Sequence, residues 1–409
     1  MKNIILANAP EYNGNMGCVA LCYTMLFLID ELFTENGASY RLFLTDSNSP
    51  KRKNVVKIAG KTIHYDSTIN PLPLSLKNCI KKVLLFPSTL RSVVAFRRAD
   101  CILDIGQGDS FSDIYGIDRF NRIDSIHKAA RRFRKPYCFL PQTIGPFKSD
   151  WAKNRSHESL KRAAIVMARD KMSCQYVLDK VPEQKHVCEY IDVAFLLPYC
   201  QQSFETGYVH VGLNVSALLW NGGYVRNNQF ELKDDYQTII RAIIDYFLEK
   251  EDVMIHLIPH VMSPSFIIED DSSVCEELVK TYQHDRLVKS PNFSSPTDAK
   301  SYISGMDFFV GARMHATIAA FSSGVPVVPM AYSRKFNGLF QETLCYSQLI
   351  DLKKDSQKEI LQTIHSAFSN REQLKKEIER ITTDKIDFQI DLLKRDLASF
   401  MGLKHGEKR

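Results

Sequence analysis

From one end of the chain to the other, short apolar runs rich in Val, Ile, Leu and Phe alternate with longer segments of helical periodicity. A run that is apolar on every residue is buried on both faces, as in a parallel sheet, and parallel strands need a crossover between them that is usually a helix. The fold class expected is therefore α/β. In the first half the strand candidates are Ile4 to Ala7, Tyr40 to Leu44, Cys101 to Ile105, Tyr137 to Pro141, Ile165 to Ala168 and His186 to Glu189, with helices over Val19 to Phe33 and Ile123 to Arg134. The second half restarts the alternation with Val209 to Val215, Val253 to Ile258, Phe308 to Gly311 and Val325 to Met330, and Tyr236 to Lys250 carries Ile239, Ile240, Ile243 and Phe247 on one helical face.

At 409 residues the chain exceeds the size at which one core keeps growing, so two domains are expected. The segment PYCQQSFETG, from Pro198 to Gly207, loses apolar periodicity and reads as the linker. The expected organisation is a Rossmann-like domain over 1–197, a second over 208–350, and C-terminal helices over 351–409 packing across both. Two Rossmann-like domains facing across a cleft is the simplest architecture.

Several function classes lose support. The opening MKNIILANAP reads as a strand, because its apolar run is too short for a signal peptide and no small-residue cleavage site follows. The longest apolar stretch, Val19 to Ile29, falls short of the ~20 residues that span a bilayer, so no transmembrane helix is expected. Ten cysteines are scattered without a C-x-x-C pair, which favours reduced thiols over disulfides and gives no metal-ligand spacing. A cytoplasmic location follows as an expectation, with neither metal nor nucleic acid as partner. The formal net charge of +6 suits an anionic substrate. Two stretches concentrate it. One mixes Lys77, Lys81, Lys82, Arg91, Arg97 and Arg98 with Leu84, Leu85, Phe86, Val93 and Phe96; the other is HKAARRFRK, ending at Lys135. Each reads as a solvated helix face, with docking on acidic lipid head groups at the inner face of the membrane as the alternative.

The segment DFFVGARMHATIAAFSSGVPVVPMAYSRK, Asp307 to Lys335, reads as strand, tight turn, helix and strand, with Gly311 at the turn and Gly324 closing the helix. Arg313 and His315 fall at the helix N-terminus, where free N–H groups and the positive end of the dipole favour an anion; the bland alternative pairs Arg313 with Asp307. Asn214 and Ser216 end another strand, and His260 a third, whereas His210 and His256 belong to the core. In the first half, DCILDIGQGDSFSDIYG puts Gly106, Gly108, Asp109 and Asp113 in a loop after a strand, and Gln142 with Thr143 ends the next. Arg169 also ends a strand, either as a second anion clamp facing Arg313 or paired with Asp170 or Asp192.

In chain order, GNMGCVA, DIGQGDSFSD, LPQTIGPF, ARDKMS, DVAFLL, VGLNVS, IPH and GARMHATIAAFSSGVPVVPMAYSRK resemble the polysaccharide pyruvyl transferase family over roughly residues 13 to 340. The resemblance implies a GT-B-like fold, like that of the two-Rossmann-domain glycosyltransferases, with the acceptor on the domain over 1–197 and the donor on that over 208–350. It also implies transfer of a pyruvyl group from phosphoenolpyruvate to a sugar, free or lipid-linked, of a cell-surface glycan, with a ketal formed across two hydroxyls and phosphate released. It implies donor binding by Arg169, Arg313, Met314 and His315; the strand-end reading adds Asn214 and Ser216, Lys335 closes the last motif, and His315, then His260, with Arg313 are the catalytic candidates. Acceptor contacts are expected from Gly106, Asp109, Asp113 and Gln142. No cofactor is implied beyond phosphoenolpyruvate as donor substrate. Gln107 stands where the family usually has glycine, and Cys18 where it usually has an acidic residue. Other enzymes of this architecture use nucleotide sugars, and a non-catalytic glycan-binding protein is the remaining alternative.

Overall fold

The computed structural model describes residues 1–45, 54–68 and 87–404. The chain divides into two compact units. One comprises Met1–Tyr12, Leu21–Val193 and Phe388–Arg409; the other comprises Asn13–Ala20 and Ala194–Asp387. The break after Val193 lies just ahead of the expected linker. The C-terminal helical tail is shared, with residues 351–387 grouped in the second unit and those from Phe388 onward in the first. Residues 13–20, which the sequence reading assigned to the first domain, group with the second.

The first unit holds β1 (Lys2–Ala7), β2 (Tyr40–Leu44), β3 (Asn54–Ile58), β4 (Lys61–Ser67), β5 (Cys101–Asp104), β6 (Tyr137–Gln142), β7 (Ile165–Ala168) and β8 (Val187–Glu189). Their order across the sheet is β3-β4-β2-β1-β5-β6-β7-β8. All neighbours pair parallel except β3 with β4, which pair antiparallel. The β3–β4 hairpin escaped the sequence reading because its residues alternate between buried and exposed instead of forming an apolar run. Its two-residue turn, Ala59 and Gly60, takes φ of 48° and 79°, the mirror-image turn whose twist suits a hairpin. In contrast, every residue of β5 and β6 is buried, as the continuous apolar pattern requires.

The second unit holds β9 (Val209–Asn214), β10 (Val253–Leu257), β11 (Leu287–Lys289), β12 (Phe308–Gly311), β13 (Val327–Ala331) and β14 (Ile350–Asp351). The order β11-β10-β9-β12-β13-β14, with every neighbouring pair parallel, is the doubly wound dinucleotide-fold order. The winding reverses between β9 and β12. Ligands of such sheets bind beyond the carboxyl ends of the strands at that reversal, so topology alone directs attention to Asn214 and Gly311. Gly311 does not turn the backbone in a left-handed conformation, as the sequence reading supposed. A Cβ there would lie 2.8 Å from Phe309 and 3.1 Å from Asn214, so the glycine serves close packing.

Two expectations about apolar and basic segments change. The helix Met16–Glu35 has 20 residues and is long and apolar enough to cross a membrane; most of it is buried in the protein, and it serves as a core helix. Lys77, Lys81, Lys82, Leu84, Leu85 and Phe86 of the first basic stretch lie outside the described residues. On the helix Pro87–Arg98, Arg97 and Arg98 are exposed while Phe96 is buried, the pattern of a solvated face. The second stretch is only partly such a face, because its His127 is completely buried.

Candidate active site

At the carboxyl end of β9, the Asn214 amide donates to the Ile258 carbonyl at 2.8 Å, and its oxygen accepts from the Arg313 backbone N–H at 2.8 Å. Asn214 is fully buried and ties together the ends of β10, β9 and β12. Its expected role in donor contact is thus replaced by a scaffolding one.

Asp271, which the sequence reading did not single out, completes this scaffold. It opens the helix Asp271–Tyr282 and is fully buried. Its carboxylate accepts from the backbone N–H groups of Ala217 at 2.8 Å, Val261 at 2.9 Å and His260 at 3.2 Å, and from the Arg313 guanidinium at 2.7 Å through Nη2 and 3.2 Å through Nε. Arg313 Nη2 also reaches the Glu269 carbonyl at 3.2 Å. Burial disfavours the charged guanidinium, yet the adjoining Asp271 carboxylate outweighs it and holds the Arg313 pKa above its ordinary value. Arg313 is 9% exposed, so the expectation of an open, cleft-exposed arginine gives way to a buried ion pair. Asp307, the alternative partner, instead accepts from the His210 backbone N–H at 2.7 Å.

The helix Met314–Ser322 starts directly after Arg313, with Met314 buried and no side chain capping its first turn. His315 lies one residue further. A Cβ on Gly17 would lie 2.2 Å from His315 Nδ1, and one on Gly14 would lie 2.0 Å from Ser263 Oγ. The two glycines of GNMGCVA therefore let residues 13–17 lie directly on the loops after β10 and β12. A bridge between Asn15 and Val261 and a bond from the Met16 N–H to the His260 carbonyl at 3.0 Å hold them there. His260 is buried; desolvation, followed by the fields of His315 and Arg313, lowers its pKa to about 3. It is a neutral imidazole at physiological pH.

Among the described residues, the buried polar atoms of this unit without a hydrogen-bond partner include Ser216 Oγ beyond β9, His260 Nδ1 beyond β10 and Ser333 Oγ beyond β13, besides Tyr246 Oη and Thr297 Oγ1 on the helices Tyr236–Leu248 and Pro296–Ile303. Leaving such atoms unpaired costs about 1–3 kcal/mol each, and orphaned groups that follow neighbouring strands mark a place built for a ligand. Ser216 and His260 were expected from sequence; Ser333 was not, although it precedes the short helix Arg334–Phe336 that carries the half-buried Lys335. His210 and His256 are core residues as expected, bonded to each other at 2.9 Å.

Most predicted residues of the first unit bond within it, while the buried Gln142 Oε1 has no hydrogen-bond partner among the described residues. Gly106, Gln107 and Gly108 take φ of 52°, 50° and 87° in succession. Gln107, in a conformation that favours glycine, is held by a bond to its side-chain oxygen from Arg119 at 2.8 Å. A Cβ on Gly106 would lie 1.9 Å from the Gln142 side chain, whose amide donates to the Asp104 carbonyl at 2.7 Å. Asp113 accepts from the backbone of Lys148 and Ser149 at 2.8 Å each, which holds its carboxyl below the usual range although burial pushes the other way. Asp109 accepts from the Tyr115 hydroxyl at 2.8 Å. Behind the loop, Asp104 takes a 2.8 Å bond from His127. Burial alone would lower the His127 pKa, but Asp104 and Asp124 together raise it.

Arg169 is 1% exposed, with Nη1 on Asp192 at 2.7 Å and Nε on the Thr143 hydroxyl at 2.9 Å, while Asp170 caps the next helix. The ion-pair alternative for Arg169 is the one observed. Two guanidinium groups meeting over a shared donor therefore have no support, since each is committed to a carboxylate of its own unit. No group of three or more His, Cys, Asp or Glu side chains among the described residues has the geometry to hold a metal.

The family model described as polysaccharide pyruvyl transferase matches residues 15–334. No curated protein matches the chain. Among solved structures, a Listeria monocytogenes protein assigned as a UDP-N-acetylglucosamine 2-epimerase superposes over 100% of both chains with a TM-score of 0.61 at 11% identity. The Neisseria meningitidis UDP-GlcNAc 2-epimerase, solved bound to UDP-GlcNAc, covers 97% of this chain and 98% of its own at a TM-score of 0.58 and 10% identity. An α,α-trehalose-phosphate synthase (UDP-forming) from Burkholderia vietnamiensis covers 98% and 99% at 0.54 and 9%. At these identities the likeness establishes a GT-B-like fold and nothing about substrate.

Proposed function

The chain belongs to the polysaccharide pyruvyl transferase family, and from that premise we propose that it transfers a pyruvyl group from phosphoenolpyruvate to two hydroxyls of a glycan sugar, forming a ketal and releasing phosphate. The observation that carries this reading is the set of orphaned polar atoms, Ser216 Oγ, His260 Nδ1 and Ser333 Oγ, beyond the strand ends around Arg313. A small polar anion satisfies such groups, and the uncapped N–H groups of the helix Met314–Ser322 favour its negative charge.

The chemistry assigns distinct roles. A proton is added to the methylene carbon of the donor, one sugar hydroxyl attacks the adjacent carbon and loses its proton, and phosphate departs with its bonding electrons. The second hydroxyl then attacks the same carbon, loses its proton and closes the ring. His260, neutral because its pKa is near 3, is unsuited to delivering the first proton and suited to accepting a hydrogen bond from a hydroxyl. His315, at the helix start, is left as the proton carrier. Arg313, paired with Asp271, fixes the start of the helix whose free N–H groups favour the donor, and Lys335 on the helix Arg334–Phe336 supplies a further cation of this unit. The protein works at the inner face of the membrane or in the cytoplasm, where phosphoenolpyruvate is available, and needs no further cofactor.

Incubation with phosphoenolpyruvate and a panel of lipid-linked and simple glycosides, followed by mass spectrometry, is expected to reveal a pyruvylated sugar with stoichiometric phosphate. Release of a nucleoside diphosphate from a sugar nucleotide would identify a glycosyltransferase instead, and glycan binding without turnover a non-catalytic protein. Gly17→Ala places a methyl group against His315, and a misplacement of about 1 Å costs about 100-fold in rate. Turnover is expected to fall by that factor. A Gly17→Ala enzyme with parental turnover would remove the residues 13–17 segment from the site.

A further inference from the structure

Two loops beyond β9 and β10 carry an apolar ledge next to Arg313. Tyr224 and Phe266 stack with ring centroids 6.2 Å apart and planes inclined by 26°. Tyr224, Val225, Phe266 and Ile267 are 45%, 63%, 50% and 64% exposed. Large apolar side chains gathered in the open mark a binding surface more often than chance. The Tyr224 loop is ordered by its own bonds: the N–H groups of Asn227 and Gln229 reach the Gly222 carbonyl at 3.2 and 3.1 Å, and the Tyr224 N–H reaches the Gln229 side chain at 2.8 Å. The Tyr224 hydroxyl donates to the Glu269 carboxylate, and the Glu269 carbonyl accepts from Arg313. The ledge is thus continuous with the site.

We propose that this ledge is the acceptor subsite, where a pyranose ring lays its C–H face on Tyr224 and Phe266 while its hydroxyls bond to Glu269 and the Tyr224 oxygen. The assignment rests on the pyruvyl-transfer reading and names where the sugar goes. A pyranose joins an apolar face to a rim of hydroxyl donors, and the ledge joins aromatic faces to a carboxylate that accepts them. The same carboxylate disfavours an anionic lipid surface. Of the residues expected to contact the acceptor in the first unit, Asp113 is otherwise engaged, since both its oxygens are taken by Lys148 and Ser149.

The test uses the full chain with Tyr224→Ala, Tyr224→Phe and Phe266→Ala. Saturation-transfer NMR with a panel of methyl hexopyranosides is expected to show contacts in the parent that Tyr224→Ala and Phe266→Ala lose. Tyr224→Phe is expected to keep ring-face contacts with weaker binding. With an acceptor that turns over, the alanine variants are expected to raise its KM about tenfold and leave phosphoenolpyruvate affinity, read by calorimetry, within about twofold. Parental KM and parental saturation transfer in both alanine variants would overturn the proposal. So would variants whose only change is weaker cosedimentation with phosphatidylglycerol vesicles, or a smaller assembly by light scattering, since the ledge would then serve a bilayer or a second copy. If the parent shows no pyruvyl transfer yet its glycoside contacts vanish in the variants, the donor reading fails while the ledge stands.

Discussion

Asp271→Ala is expected to lower the stability of the second unit by about 3–5 kcal/mol, because it strands the buried Arg313 charge and leaves the N–H groups of Ala217, His260 and Val261 without their acceptor. For a unit of this size the loss corresponds to a drop of about 10 °C in its melting temperature. The conservative change separates charge from shape. Asp271→Asn keeps one oxygen and the side-chain volume but leaves Arg313 without its counter-ion, so donor affinity is expected to change even where the protein remains folded. Differential scanning calorimetry and titration with phosphoenolpyruvate read the two effects. A melting temperature equal to the parent's in Asp271→Ala would mean that the three strand ends are held by something else. By the same reasoning Arg313→Ala, which leaves Asp271 buried and uncompensated, is expected to destabilise the unit and not merely to empty it of ligand.

The second large effect is a response to pH that differs in sign between the units. His260 and His256 are lowered by burial from 6.5 to about 3 and about 4, with further lowering from His315 and Arg313 on the first and from His210 on the second. A histidine whose folded pKa is depressed binds fewer protons folded than unfolded between the two values. Stability is therefore complete above about pH 6.5 and is lost as the pH falls toward 4, at about 1.4 kcal/mol per pH unit for each residue. His127 behaves oppositely. Its folded pKa is raised, so its contribution to the first unit is complete below 6.5 and is lost as the pH rises through the folded value. Hydrogen exchange at pH 7 and pH 5 is expected to show the strands around His256 and His260 losing protection on acidification, while β5 and the helix Ile117–Arg132 keep theirs. Equal loss in both units would contradict the assigned charge states. His260→Gln is expected to remove part of the acid sensitivity of the second unit.

The strands at the centres of the two sheets were legible because burial on both faces leaves a continuous apolar run, and β2, β7 and β12 begin and end where the pattern placed them. The start of the helix at Arg313 was legible from the glycines and the apolar spacing around it. The hairpin β3–β4 and the edge strands β11 and β14 were not, since an alternating half-exposed strand or one of two or three residues forms no continuous apolar run.

What sequence alone determined is the doubly wound α/β architecture, the family motifs and the residues that crowd the strand ends. What the tertiary structure decided is the use to which each is put: Arg313 on Asp271, Arg169 on Asp192, Asn214 as a brace, and residues 13–17 against His260 and His315. The physical reason is range. Periodicity reflects which neighbours along the chain share a face, whereas the partner of a buried charge is chosen by the sheet order, which brings residues distant in sequence to the same strand ends.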